Sequence, residues 1–369
     1  MRESLTPDSN LQVKACVFGS SHSVALSEDG QVFTWGGGLG GALGRGGLDD
    51  ELEPAKVEEE LSNTKMDARG LPVVTCRRVQ AIAAAEDYVL VLVEDGKLFC
   101  WGNAAGVLVP ARELEGELDG RRVVKLFSGY SSAQHRAVIT EEEIVILQGE
   151  ETSVQRLFTW GRGDEGQLGN GRDRVIDSNH TNASAPELIT RGLAEGESIS
   201  AVSLGGFHTL VLTSSGQVYA CGRGSEGQLG PRFFSQGDTR QVPGHVLHPV
   251  GGVLLDACII QVSAGLHTSA ALSDNGRVWL WGLESANNQW EEQRVFDWGD
   301  GCPNAWIPLE VKGLKGPANH FSCGRAHYAV LCEHDIMTWG EGTFGQLAHG
   351  NRAHMSHPRS SPVPLREST

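Results

Sequence analysis

Short alternating apolar runs, each ending in an aromatic or Cys followed by Gly, recur along the chain: Trp35-Gly36, Trp101-Gly102, Trp160-Gly161, Cys221-Gly222, Trp281-Gly282 and Trp339-Gly340. Successive sites lie 66, 59, 61, 60 and 58 residues apart. A period that steady predicts one supersecondary unit copied six times, each too small to bury its apolar face without its neighbours. Inside the copies, two period-two runs flank pairs such as Asp29-Gly30 and Asn275-Gly276. Such pairs favour two-residue hairpin turns, whose central residues both take positive φ. A β-rich run precedes the hairpin (123–127, 199–203, 258–262) and a Pro-marked run follows it (54–57, 186–189, 308–311). Four strands per copy is the content of one propeller blade. No stretch keeps a helical period between them, so the expected class is all-β.

The interior of each copy adds a second signature. In the fourth, Gly205-Gly206-Phe207-His208-Thr209 precedes Cys221-Gly222 and then Gly227-Gln228-Leu229-Gly230. The first has Gly19-Ser20-Ser21-His22-Ser23, the fifth His267-Thr268 and the sixth Gly324-Arg325-Ala326-His327. In this order the motifs resemble the repeat of the regulator of chromosome condensation family over roughly residues 12–366. The resemblance implies a single β-propeller domain spanning 1–369, in a family whose members usually have seven blades. Only six copies can be counted here. WD repeats of about 40–45 residues and kelch repeats of about 50 fit the spacing poorly.

Several copies depart from the pattern. Copy two reads Ala85-Glu86-Asp87-Tyr88 where Gly and His stand elsewhere, copy three carries an acidic and apolar insertion at 141–151, and copy five has a Trp-rich segment within 284–306. Residues 361–365 resemble another Pro-marked strand, and residues 11–16 begin where such a repeat would continue. The two chain ends are therefore expected to pair and close a six-bladed ring, because an open one would leave unpaired strand edges.

Composition narrows the setting. Thirty Lys and Arg against 46 Asp and Glu give a formal charge of −16. Affinity for nucleic acid comes largely from clustered cations, so direct DNA binding is not expected. No apolar run approaches a membrane span or the core of a secretory leader. The eight cysteines are spread singly without a CxxC pair, as reduced core residues of a cytoplasmic or nuclear protein would be. No disulfide framework, metal site or cofactor is expected.

Chemistry is sparse. His22, His208, His267 and His327 recur once per copy and read as structural groups, each bonding a neighbour in its blade. The Gly-rich turns lack the helix and Lys-Ser or Lys-Thr that a phosphate cradle needs. No catalytic residue is assigned. The variable pair between Gly and His is different, since fixed residues build a blade while variable loop positions are free to bind. In chain order the pairs are Ser20-Ser21, Glu86-Asp87, Tyr130-Ser131, Gly206-Phe207, Gly265-Leu266 and Arg325-Ala326. The expected function is a protein–protein interaction module, with partner-binding residues Glu86, Asp87, Val107, Leu108, Tyr130, Phe207, Leu266 and Arg325. The alternative is guanine-nucleotide exchange on a small Ras-like GTPase. The resemblance implies that exchange-factor members use these positions plus a short wedge loop, which residues 106–110 match in shortened form. The family's plant UV-B photoreceptors carry Trp within the pair; Phe207, Leu266 and Arg325 stand here instead.

Overall fold

The computed structural model describes residues 12–45, 47–57, 61–66, 72–104, 107–114, 118, 120–129, 135–141, 143–147, 150–172, 181–194, 196–231, 244–283, 304–333 and 335–362. Six four-stranded antiparallel sheets account for most of them, spanning 13–56, 79–113, 123–188, 199–249, 259–310 and 318–360. Each sheet takes its strands in chain order, as in the fourth: Ile199–Leu204, His208–Thr213, Val218–Gly222 and Gly244–Pro249. Two extra hairpins are inserted. One pairs Ser62–Met66 with Pro72–Cys76 between the first two sheets, and the other pairs Glu143–Leu147 with Glu150–Val154 inside the acidic insertion of the third.

The chain divides into two compact units. The first comprises 1–143, 155–162 and 182–188 and holds the first three sheets; the second comprises 144–154, 163–181 and 189–369 and holds the other three. The first sheet is complete within residues 13–56 and the sixth within 318–360. Among the described residues, the first sheet takes no strand from the C-terminal segment. The last described strand, Met355–Ser360, completes the sixth sheet by pairing with Asp335–Gly340. Residues 363–369 and residue 11 lie outside the described residues.

The hairpin turns differ from the two-residue form that Asp-Gly predicts. Leu26 pairs with Val32, Ser27 N donates to Gln31 O at 2.9 Å and Gly30 N donates to Ser27 O at 3.0 Å. Gly30 sits at φ +83 while Asp29 stays at negative φ. This is a three-residue loop, a type I turn closed by a left-handed glycine. Here Asp29 serves as a side-chain acceptor for Ser27 Oγ and Gln31 Nε2.

Within each unit, consecutive sheets pack face to face. Leu210, Leu212 and Ala220 of the fourth meet Val262, Ala271, Trp279 and Trp281 of the fifth, and Leu272 and Leu280 meet Phe321, Tyr328 and Trp339 of the sixth. Val24, Leu26 and Val32 meet Val89, Val91 and Trp101 in the first unit. Trp101, Trp281 and Trp339 are wholly buried and Trp160 nearly so. Trp35 is only half-buried. In two of the sheets, the loop after the third strand of the preceding sheet closes over the Trp. Trp101 Nε1 donates to Ala42 O at 3.0 Å, and Trp281 Nε1 donates to Gln228 O at 2.8 Å.

The first strands are joined to one another by polar side chains. Ser203 Oγ accepts from Ala264 N at 2.9 Å, and Ser263 Oγ accepts from Cys323 N at 3.0 Å. The Gln261 amide donates to Phe321 O at 2.7 Å and accepts from Phe321 N at 3.1 Å, standing in for a strand partner. Truncating a buried Trp costs about 3–5 kcal/mol. Trp281→Ala is therefore expected to lower the thermal midpoint sharply, and Trp35→Ala clearly less. Equal losses for the two, measured by thermal denaturation, would contradict the burial pattern.

Candidate functional site

The variable pairs sit in tight turns between the first and second strands. Gly205 N donates to His208 O at 2.9 Å and Gly265 N to Thr268 O at 2.8 Å. In the next pairing, His208 faces Gly222 while Thr268 faces Gly282. Thr268, not His267, thus occupies the recurrent His position of the fifth sheet. Its variable pair is Leu266-His267, one residue on from the Gly265-Leu266 reading, because Gly265 is the fixed glycine. His267 misled the sequence comparison by standing one place early.

Neighbouring turns are stitched together by backbone bonds. Ser20 N donates to Glu86 O at 3.0 Å, Gly206 N to Gly265 O at 3.1 Å and Leu266 N to Arg325 O at 3.3 Å. The carbonyl of the second pair residue also accepts from the residue after the Trp-Gly or Cys-Gly step: Ser21 from Gly37, Phe207 from Arg223 and Ala326 from Glu341. The frame recurs in the first, fourth and sixth copies while the side chains on it change.

In the second unit these side chains form a stacked column. The Arg223 guanidinium carbon lies 4.6 Å from the Phe207 ring centroid, and the His267 ring stacks on Phe207 at 5.5 Å and 12°. Arg223 Nη2 is held 2.8 Å from Glu165 Oε1, and His267 Nδ1 lies 4.0 Å from Glu226 Oε2. Burial first, then the Arg223 and Arg325 guanidinium groups, pull the His267 pKa below 6.5 against the opposing pull of Glu226. Arg325 is exposed beside this column, Phe207 is partly exposed and Leu266 is buried. Leu266 therefore contributes mainly its backbone bond to the frame.

In the first unit Glu86 and Asp87 are both partly exposed. Ser20 Oγ donates to Glu86 O at 2.7 Å and lies 3.3 Å from Asp87 Oδ1. Val107 and Leu108 do not form a free wedge. They open the strand Val107–Glu113, paired with Leu98–Ala104 through Val107 to Ala104 and Leu108 to Asn103. Strand pairing won over the loop reading because the apolar run at 107–109 extends the sheet. Tyr130 lies outside the described residues, as do the side chains of Val107 and Leu108.

Of the recurrent His residues, His22, His135 and His208 are buried, and His208 takes its side-chain partner from the next sheet. Ser269 Oγ donates to Gln228 O at 2.8 Å and lies 2.9 Å from His208 Nε2, which leaves its lone pairs to accept from the ring N–H. The second sheet replaces this pair in both members, a feature that sequence comparison missed. Tyr88 takes the His position opposite Gly102, and the buried Arg136 of the third sheet places its guanidinium 3.6 Å from the Tyr88 ring centroid. Burial pushes the Tyr88 hydroxyl well above 10.0 and lowers the Arg136 pKa. The readable signal was Arg136 standing where Ser23, Thr209 and Ser269 stand in other copies. Among the described residues, no group of three or more His, Cys, Asp or Glu side chains is placed to hold a metal ion.

Sheets of four antiparallel strands, repeated six times with this turn geometry, define a β-propeller. Models of the regulator of chromosome condensation (RCC1) repeat match residues 13–40, 199–228 and 259–289, and residues 29–92, 156–212 and 215–272. The chain belongs to this family. It is 27% identical to the Ultraviolet-B receptor UVR8 of Arabidopsis thaliana over 94% of its length, spanning 69% of that receptor. It spans 54% and 40% of two further relatives. Human WBSCR16 superposes with a TM-score of 0.71 at 18% identity, covering 96% of this chain and 83% of that one. Prp20p of Saccharomyces cerevisiae superposes at 0.68 with 20% identity, covering 95% and 77%. Both likenesses show the propeller fold.

Burial is the largest influence on His22, His267 and His327, and all three have pKa values below 6.5. The unfolded chain, titrating near 6.5, binds more protons than the folded one between the lowered values and 6.5. Their contribution to stability is thus complete above that window and lost as pH falls through it. The denaturation midpoint is expected to hold from about pH 8 to 7 and to fall between about 6.5 and 5. A midpoint unchanged across the lower range would contradict the buried, neutral state of these rings.

Proposed function

We propose that the chain is a protein-recognition module that binds its partner through the variable turn residues, with Phe207, His267 and Arg325 as the main contacts of the second unit. The observation that carries this reading is the constant backbone frame of the turns, which presents different side chains from successive sheets. A partly exposed aromatic ring locked between Arg223 and His267 loses little freedom on binding, and Arg and aromatic side chains are frequent interface anchors. Cys16, Cys100, Cys221, Cys258, Cys323 and Cys332 are free thiols, which fits a cytoplasmic or nuclear setting.

Guanine-nucleotide exchange on a small Ras-like GTPase is the second reading. Glu86 and Asp87 favour it, since acidic groups can compete for the cations that hold nucleotide phosphates. Prp20p, which shares the fold, was solved with attention to its binding of Gsp1p and histones. The strand at 107–113 removes the wedge from this reading, leaving the acidic pair to carry it.

Two measurements separate the readings. Affinity capture from cell extract is compared between the wild-type protein and Phe207→Ser/Arg325→Glu, with thermal melting as a folding control. Recognition by the turns predicts a partner lost from the variant at unchanged stability; an identical capture profile would refute it. For exchange, release of fluorescent nucleotide from a panel of small GTPases should accelerate with the wild-type protein and not with Glu86→Ala/Asp87→Ala. No acceleration from any member of the panel would sink the exchange reading alone.

A further inference from the structure

The first sheet departs from the others at the loop after its third strand. Four residues past the recurrent Trp or Cys stands Leu39, where the third, fourth and sixth copies have Asp164, Ser225 and Thr343. A second departure lies on the fourth strand. Glu51 faces the glycine of Trp35-Gly36 and Leu52 follows it, where the corresponding positions hold Ser184, His245 and Ser356. The side chain of the fifth counterpart, Trp306, lies outside the described residues. Polar residues at both sites in the third, fourth and sixth copies show that the blade itself does not need leucine there.

Leu39, Leu48 and Leu52 are 71%, 56% and 94% exposed. The backbone brings the first two together. Gly38, beside Leu39, is so close to the returning chain that a Cβ would lie 2.1 Å from Asp49 O and 2.8 Å from Leu48 O. Gly38 N also donates to Asp50 Oδ1 at 2.9 Å. Leu52 stands in the irregular part of the strand, where the register moves from Gly36–Glu51 to Thr34–Ala55 and the surplus residues are turned out of the ladder. The surroundings are acidic: Asp49, Asp50 and Glu53 are exposed. Arg45 is engaged locally, with Nη1 donating to Thr34 Oγ1 at 2.6 Å and Ala55 O at 3.1 Å and Nη2 lying 3.7 Å from Glu51 Oε1.

We propose that this leucine cluster with its carboxylate rim docks a cationic peptide segment that carries leucine-sized apolar side chains. The apolar side chains would cover Leu39, Leu48 and Leu52, and Lys or Arg between them would meet Asp49 and Glu53. Exposed apolar groups bounded by one sign of charge mark an interaction surface, and the rim selects against acidic partners. None of its residues belongs to a variable pair, so the proposal stands whether or not those pairs bind a partner.

The test uses the full chain and short synthetic peptides of Lys and Arg mixed with Leu and Phe, against counterparts with Glu in place of every cation. The cationic peptides should bind saturably, weaken as salt rises and leave the acidic series unbound. Leu39→Asp/Leu52→Ser installs residues that the other copies carry at these sites, and should weaken binding by about tenfold or more. Asp49→Lys/Glu53→Lys should abolish the salt dependence. No binding by the cationic apolar series, equal binding by the acidic series, or indifference to the leucine variant would each overturn the proposal. Self-association of the free protein that the leucine variant abolishes would overturn it too, by assigning the patch to a second copy.

Discussion

A four-stranded sheet of this length has apolar faces and polar edges that it cannot satisfy alone, and the repeat is built to satisfy them one period away. Hydrogen bonds between residues 60 or 61 apart run through the second unit: Gln261 to Phe321, Ser263 to Cys323, Ser203 to Ala264 and Ser269 to His208. The bonds reach both ends of the strands. The loop carrying Gln228 closes over Trp281, and the loop carrying Gln167 accepts from Thr209 at 2.7 Å. Buried donors left without partners cost roughly 1–3 kcal/mol each. The polar stitches therefore specify which face meets which, while the apolar clusters supply most of the driving force.

That division explains why recognition can vary while the fold does not. Backbone atoms make the bonds between adjacent turns, so Ser20, Gly206 and Leu266 serve the same structural purpose with unlike side chains. The frame tolerates larger changes where both members of a pair change together, as Tyr88 and Arg136 do in place of a His and a hydroxyl. Buried with a cation over its ring, Tyr88 keeps the sheets in contact through an aromatic face instead of a hydrogen bond. Leu39 and Leu52 lie outside every one of these stitches and are free to respond to a partner alone.

The period of the Trp-Gly step made the fold legible, because glycine closes the strand in all six copies and a large ring precedes it in five. Finer features were less legible for physical reasons. Asp-Gly is compatible with two turn types, and only the backbone shows that Asp29 keeps negative φ while its carboxylate accepts locally. His267 imitated the recurrent His, yet the glycine that starts the turn sets the register and makes Thr268 the frame residue. Residues 107–109 read equally well as a loop or a strand, and pairing with Leu98–Ala104 decided it. The column of Arg223, Phe207 and His267 joins positions from two copies, which no single-copy pattern reveals.

Coupling between successive sheets is the central claim, and Gln261 isolates it, since its side chain bonds the backbone of the following sheet on both sides of Phe321. The direct measurement is native-state hydrogen exchange on the wild-type protein and Gln261→Leu. The account predicts faster exchange at the Phe321 amide and at neighbouring amides of the sixth sheet, 60 residues from the substitution. Exchange altered only within the fifth sheet, with Phe321 as protected as before, would contradict it.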